Sequence, residues 1–208
     1  HLLGLLLWLF GIAGGSELMV YWLALPADFG NLITKPWSLI SYMFLHESLM
    51  HILMNMLVLY FGGQIFLQFL NQKKLVGVYL LGGLAGGLLY ILAFNIFPVF
   101  ENVLMGSLAL GASASVMAVL VAAASYVPNF VVRLVFLGNV KLKYVALVYV
   151  VLDIISIRQG NAGGHIAHIG GALLGFLFVK QLQSGKDITV FVTQLLDYLK
   201  VLFSYKLK

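Results

Sequence analysis

The sequence predicts an all-α membrane protein: a bundle of six transmembrane helices with a long interfacial first loop and a C-terminal amphipathic tail. Three observations carry that expectation. Of the 208 residues, 62% are hydrophobic and the mean hydropathy is +1.04, which leaves too little polar surface to cover a water-soluble globule of this size. The apolar residues gather into runs approaching the ~20 residues that one crossing needs. The basic residues, finally, are concentrated in alternate connections between those runs.

Taken in order, the runs put helices near 2–13, 48–69, 74–95, 113–127, 143–158 and 164–182. The first is short for a span and starts at His1 rather than Met, so it is expected to be a helix truncated at its start. A secretory signal peptide is the competing reading, but no basic region precedes the run and no clear small-residue cleavage site follows it. The stretch from Gly14 to Trp37 holds Pro26, Pro36, Glu17, Asp28, Trp22 and Trp37, and reads as a long outer loop at the membrane interface, where Trp is favoured. Gly82, Gly83, Gly86 and Gly87 in the third helix are small residues that let neighbouring helices pack closely. Beyond the sixth helix, Phe191, Leu195, Leu199 and Leu202 alternate with Asp197, Lys200 and Lys206. A span there would bury charges at ~2.5–3.5 kcal/mol each, so an interfacial amphipathic helix is expected instead. The division is a transmembrane domain over 1–183 and a cytoplasmic tail over 184–208.

The net charge of +5 does not imply nucleic acid, because the basic residues form no single patch. Lys73 and Lys74 fall in the second-to-third connection, Arg133, Lys141 and Lys143 in the fourth-to-fifth, and Lys180, Lys186, Lys200, Lys206 and Lys208 after the sixth helix. The other side holds Lys35 and Arg158 with Glu17, Asp28, Glu47 and Glu101. Positive-inside asymmetry then makes the even connections and both termini cytoplasmic, which requires an even number of spans. There is no cysteine, so disulfides, thiolate metal sites and cysteine nucleophiles are excluded.

Four of the five histidines lie in two groups inside or at the edge of apolar helices, where ionisable side chains are costly and usually functional. The second helix opens with His46-Glu-Ser-Leu-Met-His51-Ile-Leu-Met-Asn55, and the four-residue step puts His51 and Asn55 on one face. The fourth opens with Gly111-Ala-Ser113-Ala-Ser115, where glycine permits a tight turn that leaves a hydroxyl at the helix mouth. The sixth holds His165-Ile-Ala-His168-Ile-Gly-Gly171-Ala-Leu-Leu-Gly175, whose Gly171 and Gly175 admit a neighbouring backbone. At 1.5 Å per residue, Ser113 stands ~22 Å above Pro128, His168 ~18 Å above Lys180, and Asn55 and His51 ~24 and ~30 Å above Asn71. All four are thus expected in the outer half of a core ~30 Å thick.

This combination, His with His-x-x-x-Asn in the second helix, Gly-x-Ser in the fourth and Ala-His-x-x-Gly-x-x-x-Gly in the sixth, resembles the rhomboid family in its bacterial six-helix form. The resemblance covers nearly the whole chain. It implies an intramembrane serine endopeptidase that cleaves single-span or other membrane-protein substrates. It further implies a Ser113–His168 dyad without a third acid, an oxyanion site including His51 and Asn55, and no cofactor or metal. The implied location is the bacterial inner membrane. Two positions depart from the family's commonest pattern: Ala114 stands where glycine usually follows the serine, and Met117 where some members stack a tyrosine on the catalytic histidine.

The residue chemistry is compatible with that implication. A serine hydroxyl needs a base to take its proton, and imidazole, with a pKa near 6.5, suits the task at neutral pH. The alkoxide formed on attack needs donors already in place, and His51, Asn55 and the Ser113 amide at a helix N-terminus are the candidates. A metalloprotease is disfavoured because His46-Glu47 reaches His51 one residue too late for H-E-x-x-H, and His165 and His168, which could bind a metal, lack carboxylate partners nearby, Asp153 being the only acid within a late span. A transporter would require charge pairs along a path or inverted repeats, which are missing. A non-proteolytic rhomboid relative that binds or escorts membrane clients is the remaining alternative, although such relatives usually lack the serine or the histidine. The topology is directly testable: a reporter fused after Lys208 should read cytoplasmic, and an external reading would overturn both the even span count and the depth argument.

Overall fold

The computed structural model describes residues 15–134 and 138–205. The run expected at 2–13 lies outside the described residues, as do Lys206 and Lys208. The chain is mostly helical. It begins with α1 (Gly15–Leu23), a two-residue strand β1 (Leu25–Pro26), α2 (Phe29–Thr34), α3 (Ser38–Ser41) and a 3-10 turn at Tyr42–Phe44. The expected outer loop is therefore not irregular. Its prolines fall between short helices rather than inside them, and Asp28 caps α2 by accepting from the Asn31 amide at 2.8 Å. Trp22 and Trp37 stack with centroids 6.0 Å apart, and the Trp37 indole donates to the Trp22 carbonyl at 2.8 Å. Both rings stay partly exposed, as an interfacial pair should be.

Five longer helices follow: α4 (Leu49–Phe69), α5 (Gln72–Ile96), α6 (Ser113–Tyr126), α7 (Leu142–Ser156) and α8 (Ala162–Gln183). They match the second to sixth expected runs to within two residues at each end. Of the described helices, α4, α5 and α8 are long and apolar enough to cross a membrane unaided. The 14-residue α6 and 15-residue α7 are each only ~20 Å long, shorter than a hydrocarbon core. A 3-10 segment (Pro98–Gly106) and β2 (Leu108–Ala109) join α5 to α6, with β2 pairing antiparallel to β1. A hairpin not foreseen in the sequence, β3 (Val131–Leu134) with β4 (Gly138–Lys141), joins α6 to α7.

The core is organised around α6, whose residues from Ala114 to Ala124 are all buried. Alanine and valine keep this helix thin, and glycines on its neighbours let it come close. A Cβ on Gly171 of α8 would collide with the Ala114 carbonyl, and one on Gly175 with the Ala118 carbonyl. On α5, a Cβ on Gly82 would strike the Ala118 methyl, while one on Gly86 would lie 2.6 Å from both the Ala114 methyl and the Ala167 carbonyl of α8. By contrast α4 and α7 expose most of their large apolar side chains, Leu53, Tyr60, Leu147 and Ile155 among them, as lipid-facing helices do.

The terminal helix α9 (Val190–Tyr205) returns to the start of α5. Lys74 pairs with Asp187 at 2.9 Å, and the exposed Lys73 with Asp197 at 2.6 Å. Burial alone would raise the Asp187 carboxyl, but donors from Thr189 and Lys74 outweigh it and hold that group below its ordinary value. The buried Thr189 fills the space that the missing side chain of Gly77 leaves on α5. Phe191, Leu195, Tyr198 and Val201 remain exposed, in keeping with the amphipathic helix expected there. The packing makes a stability prediction: Gly175→Ala should lower the thermal midpoint in detergent, because the added methyl forces α8 off α6 at an overpacking cost of about 1–3 kcal/mol. Gly138→Ala, with open space around it, should show no such collision and lose only what its positive φ costs.

Candidate active site

Three helix starts converge on one cavity, and they are built differently. The N-terminus of α4 is capped by Ser48, whose hydroxyl accepts from the His51 amide at 3.1 Å, and that of α8 by Asn161, which accepts from the Gly164 amide at 3.2 Å. Asn161 holds a left-handed conformation, φ 48°, that asparagine tolerates better than most residues. At α6 the N-cap is Ala112, which has no side chain to offer. The first amides of α6, that of Ser113 among them, therefore keep no side-chain partner at the positive end of the helix dipole.

Gly111 makes the turn into α6. Its φ of +128° lies in the region that favours glycine, and its amide donates to the Tyr42 carbonyl at 2.9 Å. A Cβ there would lie 2.9 Å from His51 Nε2 and 3.5 Å from Ser113 Oγ. The missing side chain thus lets the His51 ring edge approach the hydroxyl. His51 also meets His46 edge to face, with centroids 5.2 Å apart. Burial, then the neighbouring His51 imidazole, lower the pKa of His46, whose Nε2 has no partner among the described residues.

The cavity, of about 290 Å³, is lined by Ser113, His168, His51, Asn55, Met117 and Asp153, together with apolar side chains of α4, α6 and α7. The four polar residues singled out in the sequence thus share one space, and Met117 borders it with them. Two details differ from the expected arrangement. No hydrogen bond joins Ser113 Oγ to His168, and the Asn55 amide nitrogen donates one proton back to the His51 carbonyl at 3.1 Å. Among the described residues that amide has no second hydrogen-bond acceptor. Gly171 and Gly175 lie at the crossing of α6 and α8 and do not line the cavity. Ser115 is fully buried and turned toward Gly83 of α5, away from the cavity.

Asp153 is the residue that sequence reasoning missed. Its Oδ1 lies 2.9 Å from His168 Nδ1 and 2.8 Å from His165 Nδ1. The expectation that these histidines have no carboxylate beside them is therefore corrected, and so is the absence of a third acid next to Ser113 and His168. The signal was an acid inside an otherwise apolar run, a placement that is costly without partners. What could not be seen was the loop between Ser156 and Asn161, which folds α7 back along α8 and brings positions 12 and 15 residues apart together. The same three groups are the described cluster whose spacing could also hold a metal, their ligand atoms lying within 4.8 Å of one another.

A family model described as the rhomboid domain matches residues 34–183. Among curated proteins, the chain is 29% identical over 154 residues to "Presenilin-associated rhomboid-like protein A, mitochondrial" of Danio rerio, a stretch covering 70% of this chain and 37% of that relative. The chain thus spans well under half the length of the relative it matches.

The turn at Gly111 carries its own prediction. Gly111→Ala adds a methyl against the His51 ring and strains the backbone by about 1–3 kcal/mol. The variant should therefore melt lower than wild type and show an altered His51 resonance by NMR. An unchanged His51 signal would mean that the close approach of that ring does not depend on the glycine.

Proposed function

The chain belongs to the rhomboid family, and from that premise we propose that it is an intramembrane serine endopeptidase that cuts transmembrane segments of other membrane proteins. The observation that carries this reading is the single cavity shared by Ser113, His168, His51 and Asn55, which arrive from three separate helices. In the proposed reaction the Ser113 hydroxyl adds to the scissile carbonyl carbon while its proton passes to His168 Nε2. The carbonyl oxygen becomes an oxyanion that the Ser113 amide, His51 and Asn55 stabilise. On collapse the C–N bond breaks and His168 returns the proton to the departing amine. Water then gives a proton to His168 Nε2 as its oxygen attacks the acyl ester, and on collapse His168 passes that proton to the departing Ser113 Oγ, releasing the new carboxyl terminus and restoring the free hydroxyl. The Ser113–His168 hydrogen bond has to form on substrate binding, since catalytic contacts are often open in the free enzyme.

The same reading takes the chain as six spans over 1–183, with a cytoplasmic tail over 184–208, in a bacterial inner membrane with both termini inside. Under it, α6 and α7 need not reach from face to face, because Ser113 opens α6 below the outer surface and water reaches it through the cavity. The missing Ser113–His168 bond is the one observation that favours a non-proteolytic relative that binds membrane clients.

Activity decides between them. The purified protein, incubated with single-span substrates and analysed by mass spectrometry, should produce a defined cut and should react with a fluorophosphonate. Ser113→Ala and His168→Ala should abolish cleavage, whereas Ser115→Ala and His165→Ala should retain much of it. Asn55→Ala and His51→Ala should lower kcat by about 10²–10³, the usual loss on removing one oxyanion donor, with KM little changed. Wild-type protein that neither cleaves nor labels would favour the client-binding reading, and an inactive His165→Ala beside an active His168→Ala would reassign the base.

A further inference from the structure

Resting on the protease reading, we infer that Asp153 is a positioning residue for the reaction: it holds His168 in the Nδ1–H tautomer, which leaves the Nε2 lone pair free for the Ser113 proton, while a second bond, from His165, helps to keep the carboxylate in place. The dyad implied by the family resemblance becomes, in this chain, a serine, a histidine and an acid contributed by α6, α8 and α7.

The geometry leads there in three steps. First, both imidazoles approach Asp153 through Nδ1 and both reach the same oxygen, Oδ1, at 2.8 and 2.9 Å. A carboxylate oxygen has two lone pairs and no proton of its own, so both contacts are satisfied at once only if both rings carry hydrogen on Nδ1. A protonated carboxyl could donate to one ring only. Second, a neutral His168 protonated on Nδ1 keeps its basic lone pair on Nε2, the nitrogen not committed to Asp153. An imidazole free to choose would spend part of its time with the proton on Nε2, unable to accept from serine. Third, Asp153 is buried, and a buried carboxylate needs compensating donors. With His168 as its one donor, the acid would lose its compensation whenever that ring turned toward substrate. His165 supplies a second donor that keeps the carboxylate in place.

Asp153→Asn tests this with nearly unchanged size. The amide can offer its NH₂ to an unprotonated Nδ1 and so stabilises the wrong tautomer. Its kcat and its rate of fluorophosphonate labelling should fall by about 10²–10⁴, the range a positioned general base contributes, with KM and the thermal midpoint close to wild type. Histidine-selective ¹⁵N NMR on the full chain in detergent gives the independent readout: His168 should be Nδ1–H in wild type and shift toward Nε2–H in Asp153→Asn. A folded Asp153→Asn with wild-type kcat would overturn the inference. So would an Nε2–H His168 in the wild type, or activity removed by a chelator and restored by zinc, which would make the cluster a metal site. If the wild type cleaves nothing, the protease reading fails, while the tautomer measurement still decides whether Asp153 orients the ring.

Discussion

The close approach of α6 to α8 is the constraint on which the rest of the structure depends. Gly171 rests on the Ala114 carbonyl and Gly175 on the Ala118 carbonyl, so a four-residue step on one helix meets a four-residue step on the other. That match fixes the register of two parallel helices. His168 lies three residues before Gly171, and Ser113 one residue before Ala114, so once the glycines are seated both side chains come to the same end of the contact, only ~3 Å apart in level. A bulkier side chain at either glycine would alter the distance between nucleophile and base before touching either one. Gly82 and Gly86 of α5 act on the opposite side, where they receive the methyls of Ala118 and Ala114. The alanine at 114 thus faces helix packing, which gives the departure from the family's commoner glycine a structural setting.

Around this rigid core, α4 and α7 are attached differently. The N-terminal half of α4 has a single buried residue, Asn55, with Gly62, Gly63, Ile65 and Phe66 making the firm contact farther down. On α7 the buried residues are Leu142 and Ala146 near its start and Asp153 alone in its second half. At the level of the cavity the one buried residue of each helix is polar, but Asp153 bonds to two histidines of α8 whereas Asn55 bonds back to the His51 carbonyl of its own helix. A polar contact is directional and is lost over a displacement that apolar packing would tolerate, so the hold of α7 on α8 at this level gives way more readily than an apolar seam would.

Much of this was legible in the amino-acid sequence, for a physical reason. In lipid, a helix must satisfy its own backbone, so apolar runs such as 48–69 and 164–182 read directly as Leu49–Phe69 and Ala162–Gln183. Depth follows from counting residues, which is how Ser113, His168, His51 and Asn55 could be brought to one level without coordinates. Outside the apolar runs that logic weakens. Gly14 to Trp37 read as loop because its prolines and acids break any long pattern, yet a helix as short as α2 forms on the Asp28 cap, and α3, which has no side-chain cap, forms with Ser38 buried. The β3–β4 hairpin depends on pairing that no periodicity announces. Asp153 was visible as an anomaly, but its partners depend on how two helices meet across a loop.

Asp153 also ties the placement of α7 to the chemistry of His168. The two bonds at Oδ1 join the second half of α7 to α8, and under the inference above one of them fixes the hydrogen of the proposed base. Any movement that separates those halves must break the contact that leaves Nε2 free, so the base is correctly prepared only while α7 lies against α8. His165 moderates this coupling: a small shift that lengthens one Nδ1 bond leaves the other to hold the carboxylate near its place. The arrangement makes a buried charge, which by itself would weaken a membrane bundle, serve both to locate a helix and to set a tautomer. It also gives a reason why two histidines, rather than one, stand a single turn apart at the start of α8.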